Sequence, residues 1–336
     1  MTVRILRPGV LSMLQDRGRH GLQYLGIVPG GAMDLTAYEL SNALVGNSGG
    51  EAALEITLLG PQLGFEQDTL IALCGAAFDA TANGHPLPRD RPVLVGAGTL
   101  LATGRAKHGA RAYLAVAGGF AVEAVLGSRS TYLPAGFGGW QGRALRAGDA
   151  LDLAPDAEDL AHARAEAVAL RDEPEMRLRS AAWSAPPMTL PDTDPIVIHV
   201  IEGRHFASFD AASQEAFFDA TWRVSPASDR MGFRLLGPAL ARPKRDEILS
   251  EPTCLGTVQV PADGAPIALM ADHQTTGGYP KIGEIAGADL PRLAQLAPGS
   301  ALRFARCTLG EALEMRRAAR HRLNSARRGI ALKFHS

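Results

Sequence analysis

Apolar residues along this chain come in short runs punctuated by Gly, Pro, Asn and Asp. Before the midpoint they read "TVRILRP", "AALEITLLGP", "TLIALCG", "RPVLVGAGTLLATG", "ARAYLAVAGG" and "DALDLAP". Short strands at regular spacing, separated by turn signals, predict a barrel or a sandwich. One stretch breaks the rule. In "DLTAYELSNALVGN", Leu35, Tyr38, Leu40, Ala43 and Leu44 follow a helical period, Asp34 stands at the N-cap position and Gly46-Asn47 closes the pattern.

The pattern then changes. "PDAEDLAHARAEAVALRDEPEMRLRSAAW" is rich in Ala, Glu and Arg, and "SAPPMTLPDTDP" is Pro-rich, which predicts a solvated helix followed by an extended linker. Strands resume with "PIVIHVIEG", a short helix is predicted around "DAASQEAFFDA", and further strands follow to "SALRFARC". The C-terminal "TLGEALEMRRAARHRLNSARRGI" reads as a basic amphipathic helix with Leu313, Met315, Ala319 and Leu323 on one face. The expected organisation is a first β subdomain over 1–154, a helical and Pro-rich linker over 155–194, a second β subdomain over 195–310, and a basic helix and tail over 311–336. A short echo between "VPGGAMDLTAYELSNAL" and "VSPASDRMGFRLLGP" suits two similar barrels.

Length and charge narrow the function. At 336 residues two domains are expected, and 34 basic against 35 acidic residues leave a net charge of -1. No broad positive field exists to hold nucleic acid or an anionic membrane. Cys74, Cys254 and Cys307 are odd in number, far apart and without ligand spacing, so they read as reduced, mostly buried thiols with no metal site. The N-terminus lacks a cleavable apolar leader and no run of eighteen apolar residues occurs, so a cytoplasmic protein is expected.

Polar groups collect in three places. The first is "GGAMD", where Asp34 either caps the helix or brings a carboxylate and backbone donors to a cleft. The second is "SDRMG", where Asp229 and Arg230 make either a surface turn or, through the planar guanidinium, a grip for a substrate carboxylate. The third follows the apolar run "PIALM". It holds Asp272, His273, Gln274, Thr275, Thr276, Tyr279 and Lys281 around Gly277-Gly278. A turn needs the two glycines but not that many hydrogen-bonding side chains, so this stretch is the strongest candidate site. The chain has no phosphate-binding G-x-x-x-x-G-K-[ST] loop, no "AMKM"-like biotin attachment segment, and no H-E-x-x-H, C-x-x-C or G-x-S-x-G motif.

"QDRGRHGLQYLGIVPGGAMD", "NALVGN", "LEITLLGP", "GGF" followed by "LGSRSTY", "VSPASDRMGFRLLGP", "ILSEPTCLGTVQVPADGAPIALMADHQTTGGYPKI" and "DLPRLAQLAPG" occur in that order. Together they resemble the biotin-dependent carboxyltransferase family, which includes the 5-oxoprolinase C subunit, KipA and the proteins historically called allophanate hydrolase subunit 2. The resemblance implies a mainly β chain with a few helices (α+β), arranged as two cyclophilin-like β-barrel subdomains. It also implies a hetero-oligomer with a KipI-like B subunit and a LamB/YcsF-type A subunit, together forming an ATP-dependent 5-oxoprolinase in which this chain is inactive without its partners. No cofactor is expected to be covalently bound, and the ATP is expected on one of the partners. Biotin enters only in the alternative reading, a urea carboxylase-like carboxyltransferase. A third reading, from another class, is a KipA-like regulator that binds a KipI-type kinase inhibitor.

Urea, biotin and 5-oxoproline all present an amide N–H beside a carbonyl. Such a group needs an acceptor near its nitrogen and donors near its oxygen. Asp34, Asp229 and His273 are the candidate acid/base residues. Arg230, Asp272, Gln274, Thr275, Thr276, Gly277, Gly278, Tyr279 and Lys281 are the candidate substrate-binding residues.

Overall fold

The computed structural model describes residues 2–173, 178–186, 194–243 and 248–334. The chain is mainly β with five α-helices among the described residues, and it divides into two units. The first comprises Met1–Gly18, Asp34–Thr189 and Arg322–Ser336, and the second Arg19–Met33 and Leu190–His321.

The first unit is built on a six-stranded and a seven-stranded sheet. Strand Thr2–Arg7 shows how the sequence makes them: Val3 and Ile5 point inward, while Arg4 and Leu6 face out. The seven-stranded sheet is centred on Thr69–Phe78, which pairs with Val93–Val95 on one side and Ala106–Val116 on the other. Inward residues of both sheets share one core that includes Val3, Ile5, Leu63, Leu73, Leu101 and Leu114. Helix α1 (Leu35–Leu44) lies against Thr69–Phe78 and Ala106–Val116, burying Ala37, Tyr38, Leu40 and Leu44.

Of the segment expected as a linker, the described residues 155–173 and 178–186 are part of this unit. Helix α2 (Ala157–Ala167) buries Ala157, Ala161 and Ala165 at every fourth position, and this small stripe lets it pack on strand Thr69–Phe78. Strands Arg171–Glu173 and Leu178–Ser180 then extend the seven-stranded sheet, with Leu178 opposite Val95. The Pro-rich residues 187–193 lie outside the described residues.

The second unit contains a closed seven-stranded barrel. Its strands, in order around the barrel, are Ile196–Glu202, Lys281–Ile285, Thr257–Gln259, Ile267–Leu269, Gly232–Leu236, Trp222–Val224 and Ala301–Arg306. The first and last pair in parallel and close the ring. Ile198, Val200, Phe217, Trp222, Phe233 and Val258 fill the barrel, joined by Met33. Helix α3 (Ala211–Asp219) starts at Asp210, whose carboxylate accepts the Ser213 N–H at 2.7 Å. Helix α4 (Leu290–Ala294) follows the strand Lys281–Ile285.

Two boundaries differ from the sequence expectation. Residues Arg19–Met33 belong to the second unit because the left-handed turn at Gly30-Gly31 lays their backbone on it, with the Gly30 N–H donating to the Ala271 carbonyl at 3.1 Å. The C-terminal helix α5 (Leu309–Lys333) is a single element whose residues from Arg322 belong to the first unit. Its buried positions include Ala312, Leu323 and Ile330, while Leu313, expected on the apolar face, is exposed. No described helix is long and apolar enough to cross a membrane. All three cysteines are free thiols; Cys74 and Cys307 are buried, as expected of most of them, while Cys254 is exposed.

Candidate functional site

Strands Gly232–Leu236 and Ile267–Leu269 run antiparallel with Gly232 opposite Leu269. That register brings the residues just before the first strand against those just after the second. The Met270 N–H donates to the Met231 carbonyl at 3.0 Å and the Asp272 N–H to the Arg230 carbonyl at 2.8 Å. The side chains then meet as well. Arg230 Nε donates to Asp272 Oδ2 at 2.8 Å and Nη2 to Asp272 Oδ1 at 3.0 Å, a bidentate fork with both residues buried. Nη2 also donates to the Gly31 carbonyl at 2.6 Å, tying in the Arg19–Met33 segment. The fork expected to grip a substrate carboxylate thus grips Asp272.

The neighbouring candidates have local duties. His273 is buried, and its Nδ1 donates to the Met270 carbonyl at 2.7 Å, because a carbonyl can only accept. Burial holds the pKa of this ring below its usual range, against the opposing pull of the Met270 and Thr253 backbone and of Asp272. Asp229 is exposed, and its Oδ1 accepts the N–H groups of Met231 at 2.8 Å and Gly232 at 3.2 Å, the surface-turn reading of "SDRMG". Asp34 lies in the first unit and caps α1, accepting the Ala37 N–H at 3.0 Å. Its own N–H donates to Tyr113 Oη at 2.8 Å.

The rest of the polar stretch forms a ribbon. Strand Glu251–Pro252 pairs with Thr276–Gly277, the Thr253 N–H donates to the Thr275 carbonyl at 3.0 Å, and Thr253 Oγ1 donates to the Gln274 carbonyl. At Gly277 the ends of two glutamine side chains come close to the backbone. A Cβ there would lie 2.7 Å from Gln259 Nε2 and 3.1 Å from Gln274 Nε2.

Beyond the ribbon, Gly278 and Tyr279 form part of the wall of a cavity of about 490 Å³ in the second unit, with Leu240, Arg242, Ile248 and Val260 among the other lining residues. This volume falls within the range of small-molecule sites, roughly 300–1,000 Å³. Tyr279 is 48% exposed. Arg242 Nε donates to Ser208 Oγ at 3.2 Å.

Lys281 ends the stretch inside an ionic cluster that sequence reasoning did not include. Its Nζ donates to the Pro252 carbonyl at 2.6 Å and lies 3.5 Å from Glu251 Oε2. The same carboxylate faces Arg204 Nη1 at 3.4 Å and His205 Nε2 at 3.3 Å. The Lys281 N–H donates to His205 Nδ1 at 3.2 Å, so the proton of the neutral ring sits on Nε2, facing Glu251. Burial lowers the pKa of His205, with Glu251 opposing.

The structure therefore brings Arg230, Asp272 and His273 into one buried knot, Gln274 to Gly277 into the ribbon, Gly278 and Tyr279 to the cavity and Lys281 to Glu251. It does not bring Asp229 or His273 to the cavity wall, and Asp34 belongs to the other unit. The residues missed are Arg242, Glu251 and His205. Only Glu251, within "ILSEPT", lay in a stretch whose pattern had drawn attention.

Residues 25–306 match the family description "Carboxyltransferase domain, subdomain A and B". Over 292 residues the chain is 39% identical to the C subunit of 5-oxoprolinase from Escherichia coli (strain K12), with 87% of each chain covered. It is also 32% identical over 292 residues to urea amidolyase of Saccharomyces cerevisiae, covering 82% of this chain and 15% of that one. Among solved structures, K. lactis urea amidolyase superposes with a TM-score of 0.85 at 30% identity, over 97% of this chain and 20% of that one. The Kluyveromyces lactis urea carboxylase gives the same TM-score and identity, with 29% of its length covered. This chain thus spans most of the length of the 5-oxoprolinase component and only a fraction of the length of the urea enzymes.

Proposed function

The chain belongs to the family of the carboxyltransferase domain, subdomains A and B, and from that premise we propose that it is the C subunit of an ATP-dependent 5-oxoprolinase. It works in a hetero-oligomer with a KipI-like B subunit and a LamB/YcsF-type A subunit, and the ATP is bound on a partner. The complex adds water across the lactam C–N bond of 5-oxoproline and releases glutamate. The observation that carries this reading is the cavity of about 490 Å³ walled by Gly278, Tyr279 and Arg242.

5-Oxoproline is a small ring with an anionic carboxylate at one side and an amide at the other. Arg242 supplies a guanidinium for the carboxylate, for which its planar donors are suited. The apolar wall of Leu240, Ile248 and Val260 receives the ring methylenes. The Gly278 N–H and the Tyr279 hydroxyl are the donors for the amide oxygen, on which charge grows as water attacks. Arg230, Asp272 and His273 act behind them by fixing the ribbon, and are positioning residues. Glu251 and His205 do the same for Lys281.

A second reading, transfer of a carboxyl group from carboxybiotin to urea or a related amide, is supported by the TM-score of 0.85 against urea carboxylase. Both reactions start from an amide beside a carbonyl, so the cavity chemistry serves either. One experiment separates them. The chain is mixed with its A and B partners, Mg-ATP and 5-oxoproline, and glutamate is followed with and without avidin. Glutamate that requires this chain and ignores avidin is the expected result; a stable complex that makes none, but carboxylates urea in an avidin-sensitive way, replaces the first reading by the second.

A further inference from the structure

The first unit has a cavity of its own, about 670 Å³, among Gly46-Asn47, helix α2 and residues 324–334. Its polar wall consists of Asn47, Arg164, Asn324, Arg327 and Arg328, which is three cations and two amides with no carboxylate. Alanines from α1, α2 and α5 and the ring of Phe334 supply the apolar wall.

Among the described residues only Arg327 of the three cations reaches a carboxylate, and Arg164 is held by uncharged groups alone. Arg164 Nη1 donates to the Val45 carbonyl at 2.8 Å and to Asn47 Oδ1 at 3.1 Å, both uncharged acceptors. Burial lowers the pKa of this guanidinium more than Glu51 and Asp156 restore it, so its charge has lost water without gaining a close carboxylate. Glu51 is itself occupied by the Ser48, Gly49 and Gly50 N–H groups at 3.1, 2.7 and 2.9 Å. Gly46, at φ +74°, leaves the path of the Arg164 stem open; a Cβ there would stand 3.1 Å from Arg164 Cδ and Nε. Arg327 Nη1 reaches Glu39 Oε2 at 3.1 Å, but that carboxylate is shared with Arg17 at 3.4 Å. Arg328 is exposed and makes no ion pair among the described residues.

We propose that this cavity binds a small organic polyanion, a phosphate ester whose phosphate lies against Arg164 and Arg328 and whose apolar body packs on Phe334 and the alanines. Guanidinium pairs are suited to the phosphate oxygens, and the volume exceeds what a bare oxyanion fills. The proposal stands whether or not the cavity of the second unit takes 5-oxoproline, because it concerns different residues in a different unit.

The test is isothermal titration of the full chain, without its partners, using ADP, inorganic phosphate and citrate as probes. ADP is expected to bind with a Kd of about 1 mM or tighter, and phosphate and citrate at least about tenfold more weakly. Arg328→Gln and Ala331→Glu change exposed positions on α5, and each is expected to weaken ADP binding about tenfold or more while the circular dichroism spectrum is retained. The absence of saturable ADP binding overturns the proposal. So does ADP binding that neither substitution changes, or phosphate or citrate binding as tight as that of ADP.

Discussion

Asp272 holds Arg230 with both carboxylate oxygens, at 2.8 and 3.0 Å, across 42 residues of sequence, and neither side chain is exposed. The pair stands where the strand Gly232–Leu236 begins and the strand Ile267–Leu269 ends, and the Thr276–Gly277 strand of the polar ribbon follows it in sequence.

Removing one partner leaves an uncompensated buried charge. Arg230→Ala and Asp272→Ala are each expected to cost about 3–5 kcal/mol in urea unfolding. A cost of about 1 kcal/mol or less for both substitutions would place the pair among weak surface bridges and remove its positioning role.

Gly277 is expected to tolerate no side chain without movement of the two glutamines. Gly277→Ala should destabilise by about 1–3 kcal/mol, and by less when Gln259→Ala has already cleared the space 2.7 Å from the new Cβ. Equal costs in the two backgrounds would mean that the approach of Gln259 is not what excludes a side chain.

Two histidines of the second unit set a pH dependence. Burial lowers the folded-state pKa of both His205 and His273 below the usual value of about 6.5, so in that window the unfolded chain binds more protons than the folded one. Stability is therefore unaffected well above this pH and falls as pH drops through and below it. Protonation of His205 also removes the acceptor of the Lys281 N–H. Urea midpoints of the wild type are expected to decline between neutral pH and moderately acidic pH, with a shallower decline in the His205→Gln, His273→Asn double variant. A midpoint that rises on acidification contradicts the sign.

Asp34 is expected to behave as a cap. Asp34→Ala should cost about 1 kcal/mol, and Asp34→Asn, which keeps an accepting oxygen, much less. Asp34→Asn should also leave the activity of the assembled complex intact. A stable Asp34→Asn chain that abolishes glutamate formation would return this residue to acid/base chemistry.

Local features were legible in the sequence, and long-range pairings were not. The helix Leu35–Leu44 was readable because Asp34, the apolar period and Gly46 agree within one short window. The run from Asp272 to Lys281 declared itself by crowding polar side chains around two glycines. That Asp272 would be occupied by Arg230 depends on the Gly232–Leu269 register, which the pattern of apolar residues does not encode. Glu251 comes to Lys281 through the pairing of Glu251–Pro252 with Thr276–Gly277, and His205 through the pairing of Ile196–Glu202 with Lys281–Ile285, both equally long-range. Helix α2 is predicted as a solvated helix, but its packing on the sheet is not legible, because the stripe of Ala157, Ala161 and Ala165 carries too little apolar surface to stand out.

If the cavity beside Tyr279 receives 5-oxoproline, a bulky side chain on its wall must obstruct the substrate, and Ala262 lies exposed on that wall. The decisive experiment is the steady-state rate of glutamate formation by the assembled complex carrying Ala262→Trp, alongside size-exclusion analysis of assembly. The expected result is an intact complex with KM for 5-oxoproline raised at least about tenfold, a loss of about 1.4 kcal/mol in binding. An intact complex with unchanged KM and kcat would contradict the assignment, because the indole would then fill the proposed site without hindering the substrate.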